Sequence, residues 1–133
     1  VKLGGSTAFR AVEPLVKKYM AVKNIKKEEF RELIKTGNAE IIDVREKQEY
    51  DIVHVKNSKL IPMGELSSRI NEIDWEKQVI FLCRTGARSR MMADAIITTG
   101  RDINNLEDGI ADCFYNEGEE NLIIDKNNIN KYF

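Results

Sequence analysis

The sequence predicts an α/β fold, built on a mainly parallel, roughly five-stranded sheet with helices on both faces. Two observations carry that prediction. Short apolar, β-branched runs at Glu40–Val44, Lys59–Ile61, Val79–Leu82 and Ile103–Leu106 alternate with segments of helical spacing. Val79–Leu82 is apolar on every residue and Glu40–Val44 carries a β-branched run, the mark of strands buried on both faces. One of them ends directly in Cys83, and Arg84, Gly86 and Arg88 follow within five residues.

A chain of 133 residues suits one domain that buries about two thirds of its unfolded surface without staples. The expected organisation is an N-terminal extension or linker with a short amphipathic helix over 1–22, one α/β unit over 23–118, and a C-terminal tail over 119–133. Lys plus Arg number 21 against 22 Asp plus Glu, for a net charge of -1. That balance argues against general nucleic-acid binding and against a polybasic membrane surface, so any anion site is local. No apolar run approaches a membrane span and no signal-peptide core is present, so a reducing, cytoplasmic setting is expected. Val1 in the first position points to a processed chain or a piece of a longer one. With two cysteines and one histidine, neither a disulfide framework nor a metal site is expected.

In chain order, Val1–Ser6 reads as a flexible opening. Phe9, Val12, Leu15, Val16 and Tyr19 then recur at helical spacing between Ala8 and Met20, with Pro14 near the start or at a kink. Asn24-Ile25 suggests a short strand. A helix over Lys26–Lys35 follows, with Phe30, Leu33 and Ile34 inward and Gly37 as its stop. After the Glu40–Val44 strand, Glu46–Ile52 reads as a short helix. Lys59–Ile61 is a strand closed by Pro62, and Leu66, Ile70 and Ile73 mark a further helix. Past the Cys83 loop, Met91, Met92, Ala95 and Ile96 form the expected inner stripe of a helix ending near Gly100. Ile103–Leu106 is the last strand and Gly109–Tyr115 a closing helix. Pattern does not decide the structure from Glu117 onward.

The chemistry centres on Cys83. A strand, tight loop and helix place its sulfur at the carboxyl end of a buried strand, under helix N–H groups that have no internal partner. Gly86 allows the loop to curl and aim successive N–H groups inward as an anion-holding nest. Arg84 and Arg88 add positive charge. Helix terminus and guanidinium groups together predict a Cys83 pKa below the free-thiol value of about 8.5.

Ile41-Ile42-Asp43-Val44-Arg45, Glu49-Tyr50, His54, Ile61-Pro62, Glu65-Leu66, Cys83-Arg84-Thr85-Gly86-Ala87-Arg88-Ser89 and Leu106-Glu107-Asp108-Gly109 resemble, in order and spacing, the landmarks of the rhodanese domain. The resemblance covers about Ile25 to Phe114. It implies that the strand ending in Asp43-Val44-Arg45 lies beside the strand that delivers Cys83, and that the loop from Cys83 to Arg88 is the active site. It also implies sulfurtransfer: Cys83 attacks the sulfane sulfur of thiosulfate or a similar small anionic donor, carries it as a covalent persulfide with no other cofactor, and passes it to a thiol or sulfur-carrier acceptor. Arg84, Thr85, Gly86, Ala87 and Arg88 would bind the donor, with Asp43, Arg45 and Ser89 in support.

The chain departs from that pattern at Val53-His54-Val55-Lys56-Asn57-Ser58, where the family usually has Gly-His-Ile-Pro-Gly-Ala. Asn57 suits a left-handed position, whereas Val53 demands negative φ. His54 reads as a hydrogen-bonded structural residue and Cys113 as a buried, inert thiol. Asp43 is expected to hold the loop through Arg88 or a backbone N–H, or else to cap the next helix. Arg45 is expected to be an ion-pair partner inside the scaffold. Two other readings compete. A cysteine-dependent phosphatase or arsenate reductase would need Arg88 one position later and His in place of Leu82. A sulfur-relay or regulatory module within a larger protein keeps the cysteine but not independent turnover.

Overall fold

A computed structural model describes residues 22–97, 100–117 and 120–131. The helix expected between Ala8 and Met20 lies outside these residues. Strands β1 (Lys23–Ile25), β2 (Ala39–Asp43), β4 (Lys59–Leu60), β5 (Gln78–Leu82) and β6 (Asn104–Leu106) form one sheet in the order β1-β6-β5-β2-β4. Every neighbouring pair in it is parallel. Helices α1 (Lys27–Lys35), α2 (Lys47–Ile52), α3 (Ala87–Ile97) and α4 (Gly109–Glu117) lie between or after the strands.

Alternation along the strands splits the core in two. Ile42, Val79, Phe81 and Cys83 pack on one face with Ala93 and Ile96 of α3. Ile41, Ile80 and Leu82 pack on the other with Phe30 of α1 and Ile110 of α4. Val79–Leu82 therefore fills both faces, which is why it is apolar at every position. Phe81 and Ile80 are wholly buried, and burial of side chains of this size is worth about 1.5–3 kcal/mol each.

A second, antiparallel pair joins β3 (Val53–Val55) to β7 (Leu122–Ile124). Val53, Val55 and Leu122 are buried, so the segment after Glu117 contributes to the second core. Val53 has φ -153°, as a β-branched residue requires, and Asn57 takes φ +64°.

Two expectations are corrected. Leu66, Ile70 and Ile73 do not share a helix; two single 3-10 turns occupy Met63–Glu65 and Ile70–Glu72. The Arg69 N–H donates to the Leu66 carbonyl at 3.1 Å. The Glu65 carbonyl, which an α-turn would have used, instead accepts from the Ser68 hydroxyl at 2.9 Å. Leu66 and Ile73 still point inward, at 0% and 4% exposure. On α3 the inner stripe is Ser89, Ala93 and Ile96 with Met92 half-buried beside it, so Ile96 and Met92 of the expected stripe face inward while Met91, exposed at 55%, and Ala95 face outward. The helix begins inside the loop at Ala87, so its phase is set by Ser89 facing Cys83 and not by the methionines.

Candidate active site

Strand order fixes where chemistry can occur. After β2 the chain moves outward to β4, whereas after β5 it moves the other way to β6. The carboxyl ends of β2 and β5 therefore flank a crevice, the usual ligand position in an open parallel sheet. Cys83 stands at the end of β5, the middle strand, and is 1% exposed. The Val44 N–H donates to the Leu82 carbonyl at 3.0 Å and ties the two strand ends together.

The loop folds back on the sulfur. Cys83 Sγ accepts the Gly86 N–H at 3.2 Å and the Ser89 N–H at 3.5 Å, with Ser89 Oγ also 3.5 Å away. Gly86 has φ +95°, and a Cβ there would stand 2.0 Å from the Glu107 carbonyl oxygen. Gly109 answers it from the other side: with φ +70°, its Cβ would stand 2.2 Å from the Arg84 carbonyl oxygen. Only glycine fits either position. The opened space lets α4 begin against the loop. The Ile110 and Ala111 N–H groups donate to the Cys83 and Arg84 carbonyls, each at 3.0 Å, so N–H groups that a helix start leaves orphaned hold the loop in place.

Burial pushes the Cys83 thiol pKa up, but the N–H groups of Ser89, Thr85 and Gly86, joined by the Ser89 hydroxyl when its proton turns to the sulfur, outweigh it and leave the pKa below its ordinary value. The direction is the expected one. Its cause is short-range donation to the sulfur from the loop and helix start; of the two expected causes, the helix start is among these donors and the arginines are not.

Arg88 turns its guanidinium onto Glu49 of α2 in a two-pronged pair, both bonds 2.8 Å. Glu49 also belongs to the capping box of α2, accepting the Glu46 N–H at 3.2 Å. Arg84, Thr85 and Ala87 are exposed on the outer side of the loop. Asp43 does not reach for Arg88 but binds Arg45: Arg45 Nε donates to Asp43 Oδ1 at 2.9 Å and Nη2 to Oδ2 at 2.8 Å. Both are fully buried, and Arg45 Nη2 also donates to the Val53 carbonyl at 2.6 Å. The pair thus locks the corner after β2 to β3. His54 stacks on Tyr50 at 3.9 Å, and its Nδ1 lies 2.8 Å from the Tyr50 carbonyl, a structural role. Cys113 is half-buried with the cluster on the opposite face from Cys83.

Two residues at the site escaped the sequence reading. Glu49 was a landmark without a role, and its position three residues after Glu46 was the capping signal available. Asn105 is 2% exposed on β6, and its Oδ1 accepts the Ser89 hydroxyl at 2.5 Å. Asparagine in a buried strand was the signal there, since such a residue needs partners for every polar atom. Among the described residues no helix is long and apolar enough to cross a membrane.

Comparison with known proteins bears on the fold and the family. The rhodanese-like domain family matches residues 26–113. YqhL of Bacillus subtilis is 35% identical over 89 residues, 66% of this chain and 69% of that protein. The putative sulfur carrier protein YrkF of the same organism is 30% identical over 94 residues, 69% of this chain but only 51% of its own length, so the chain spans about half of that relative. The thiosulfate sulfurtransferase GlpE of Coxiella burnetii is 31% identical over 81 residues, 61% of this chain and 76% of that protein. Among solved structures, a rhodanese-like domain protein from Staphylococcus aureus superposes with TM-score 0.66 at 28% identity, covering 77% of this chain and 98% of that one. A rhodanese-related protein from Thermoplasma volcanium, at 24% identity, shares the fold with TM-score 0.70 over 77% of this chain and 99% of that one. The chain belongs to the rhodanese-like domain family.

Proposed function

We propose that this protein is a sulfurtransferase in which Cys83 takes the sulfane sulfur of thiosulfate or a similar small anionic donor and passes it to a thiol or sulfur-carrier acceptor. The observation that carries the reading is the convergence of the Gly86 and Ser89 N–H groups on the Cys83 sulfur. A thiolate is the competent nucleophile, and its pKa here is lowered. In the first step the thiolate forms an S–S bond to the outer sulfur of thiosulfate, and sulfite leaves with the electron pair of the broken S–S bond. In the second, an acceptor thiolate attacks the outer sulfur of the Cys83 persulfide and regenerates the Cys83 thiolate. Charge stays on sulfur or sulfite throughout, so no separate base is required. The loop N–H groups hold the negative charge of the thiolate leaving group in the second step.

Arg84, exposed at the loop's outer side, meets the sulfonate end of the donor. Arg88, forked onto Glu49, sets the loop's shape. Asp43 and Arg45 hold the corner after β2, where the Val44 N–H is bonded to the Leu82 carbonyl just before Cys83. Intact-mass measurement after incubation with thiosulfate should show an adduct of about 32 Da on Cys83 that a reducing thiol removes. Hydrolysis of an aryl phosphate that depends on Cys83, with no sulfur adduct, would replace this reading with the phosphatase one.

A further inference from the structure

We propose that Asn105 is a positioning residue for Cys83 that acts through Ser89: its amide oxygen competes with the Cys83 sulfur for the one hydroxyl proton of Ser89. That hydroxyl has three acceptors within reach, Asn105 Oδ1 at 2.5 Å, the Gly86 carbonyl at 3.3 Å and Cys83 Sγ at 3.5 Å. It can donate to one of them. The contact with Asn105 is the shortest, below the usual O–H···O distance of about 2.7–2.8 Å.

The Asn105 amide cannot turn over to release the proton. Its Nδ2 lies 3.2 Å from the Gly86 carbonyl, which only accepts, and 3.1 Å from Asn24 Oδ1. Nδ2 must face these oxygens, so Oδ1 must face Ser89 and the Ser89 proton must point to it. The Ser89 oxygen then offers the sulfur lone pairs, which suit a thiol S–H and oppose a thiolate. When the hydroxyl swings from Asn105 to the sulfur it supports the thiolate instead, at the cost of the Asn105 bond. A buried asparagine on a central strand is unfavourable unless its polar atoms are satisfied; two of its three bonds go to the Cys83 loop and helix start, at Gly86 and Ser89. The charged groups around the sulfur are Arg84 and Arg88 in the loop, Glu49 of α2 on Arg88, the Asp43–Arg45 pair after β2, and Glu107 and Asp108 after β6 with Lys26. None is altered in the variants below.

The consequence for turnover rests on the sulfurtransferase reading, but the test does not. Cys83 pKa is measured without any sulfur donor, from the pH dependence of alkylation resolved to the Cys83 peptide. Asn105→Leu removes the competing oxygen at similar volume, and the thiolate fraction of Cys83 below its pKa is expected to rise about 3- to 10-fold. Asn105→Asp keeps an acceptor, and the fraction is expected to stay or fall. In a Ser89→Ala background Asn105→Leu is expected to change nothing. Ser89→Ala alone, a mild change that does not depend on Asn105 variants folding, is expected to alter the fraction less than about 3-fold, because its proton is already committed. A fall or no change in Asn105→Leu, an equal rise without Ser89, or a large fall in Ser89→Ala alone would overturn the proposal. Loss of sulfur loading with this pKa pattern intact would overturn only the sulfurtransferase reading.

Discussion

Cys83 and Cys113 are identical side chains on opposite faces of one sheet, and their surroundings differ in kind. Around Cys83 the backbone is turned inward: a left-handed glycine and a helix start aim N–H groups at the sulfur, and a second helix grips the loop's carbonyls from behind. Cys113 sits within α4, packed with Phe30, Val55 and Leu122. Cys83 is buried and Cys113 half-buried. The contrast teaches that burial alone does not decide a thiol's chemistry: the more buried of the two is the one whose donors favour its charged form.

The sharpest way to break this comparison is to remove each sulfur in turn. Cys83→Ser should reduce thiosulfate-dependent sulfur transfer by on the order of 10³-fold or more while the circular dichroism spectrum is retained, since a hydroxyl at neutral pH is a far weaker nucleophile. Cys113→Ser should keep activity within about 2-fold. Turnover lost in Cys113→Ser with one round of loading preserved would make that thiol a resolving residue.

Next come the supports of the Cys83 side. Asp43→Ala leaves Arg45 charged, buried and short of its carboxylate, and should cost about 3–5 kcal/mol in urea unfolding. Gly86→Ala drives a Cβ into the Glu107 carbonyl at a positive φ, and should cost about 2 kcal/mol or more. Because it displaces a donor from the sulfur, it should also lower sulfur loading. The arginines divide more gently. Arg84→Ala should raise the thiosulfate KM about 3- to 10-fold with kcat little changed, as loss of a charge that binds the donor alike before and during transfer. Arg88→Ala should instead cost about 1 kcal/mol of stability through its half-buried fork to Glu49. Unchanged KM in Arg84→Ala would remove it from donor binding.

The strands and the cysteine loop were legible because their signals are local. A continuous apolar run reports burial on both faces, and Gly86 three residues past Cys83 reports a curl. What pattern could not supply was pairing between distant segments. Leu122–Ile124 becomes a strand only because Val53–Val55 lies opposite, a contact invisible to periodicity. Arg88 meets Glu49 and Ser89 meets Asn105 across 39 and 16 positions, so the arginine's charge was assigned to the sulfur when a carboxylate already held it. Half of the stripe expected on α3, Met91 and Ala95, faces outward for a different reason: the helix takes its phase from Ser89 at the sulfur, and a small polar residue is not counted in an apolar stripe.

The smallest effect expected follows from linkage between the thiol and the fold. The Cys83 pKa is lowered in the folded chain, whereas in the unfolded chain it returns to about 8.5. Between those two values the unfolded chain binds more protons, so stability rises with pH there. The contribution is complete above the unfolded value and is lost as pH falls through the folded one. Other groups titrate too, and the informative quantity is therefore the difference in urea midpoint between the parent protein and Cys83→Ser, followed across this window under reducing conditions. The difference should grow in favour of the parent as pH rises and then level off, while Cys113→Ser should retain the parent's rise attributable to Cys83. Parallel curves for the parent and Cys83→Ser would mean that the loop donors do not stabilise the sulfur as an anion, and the contrast between the two cysteines would then lose its physical basis.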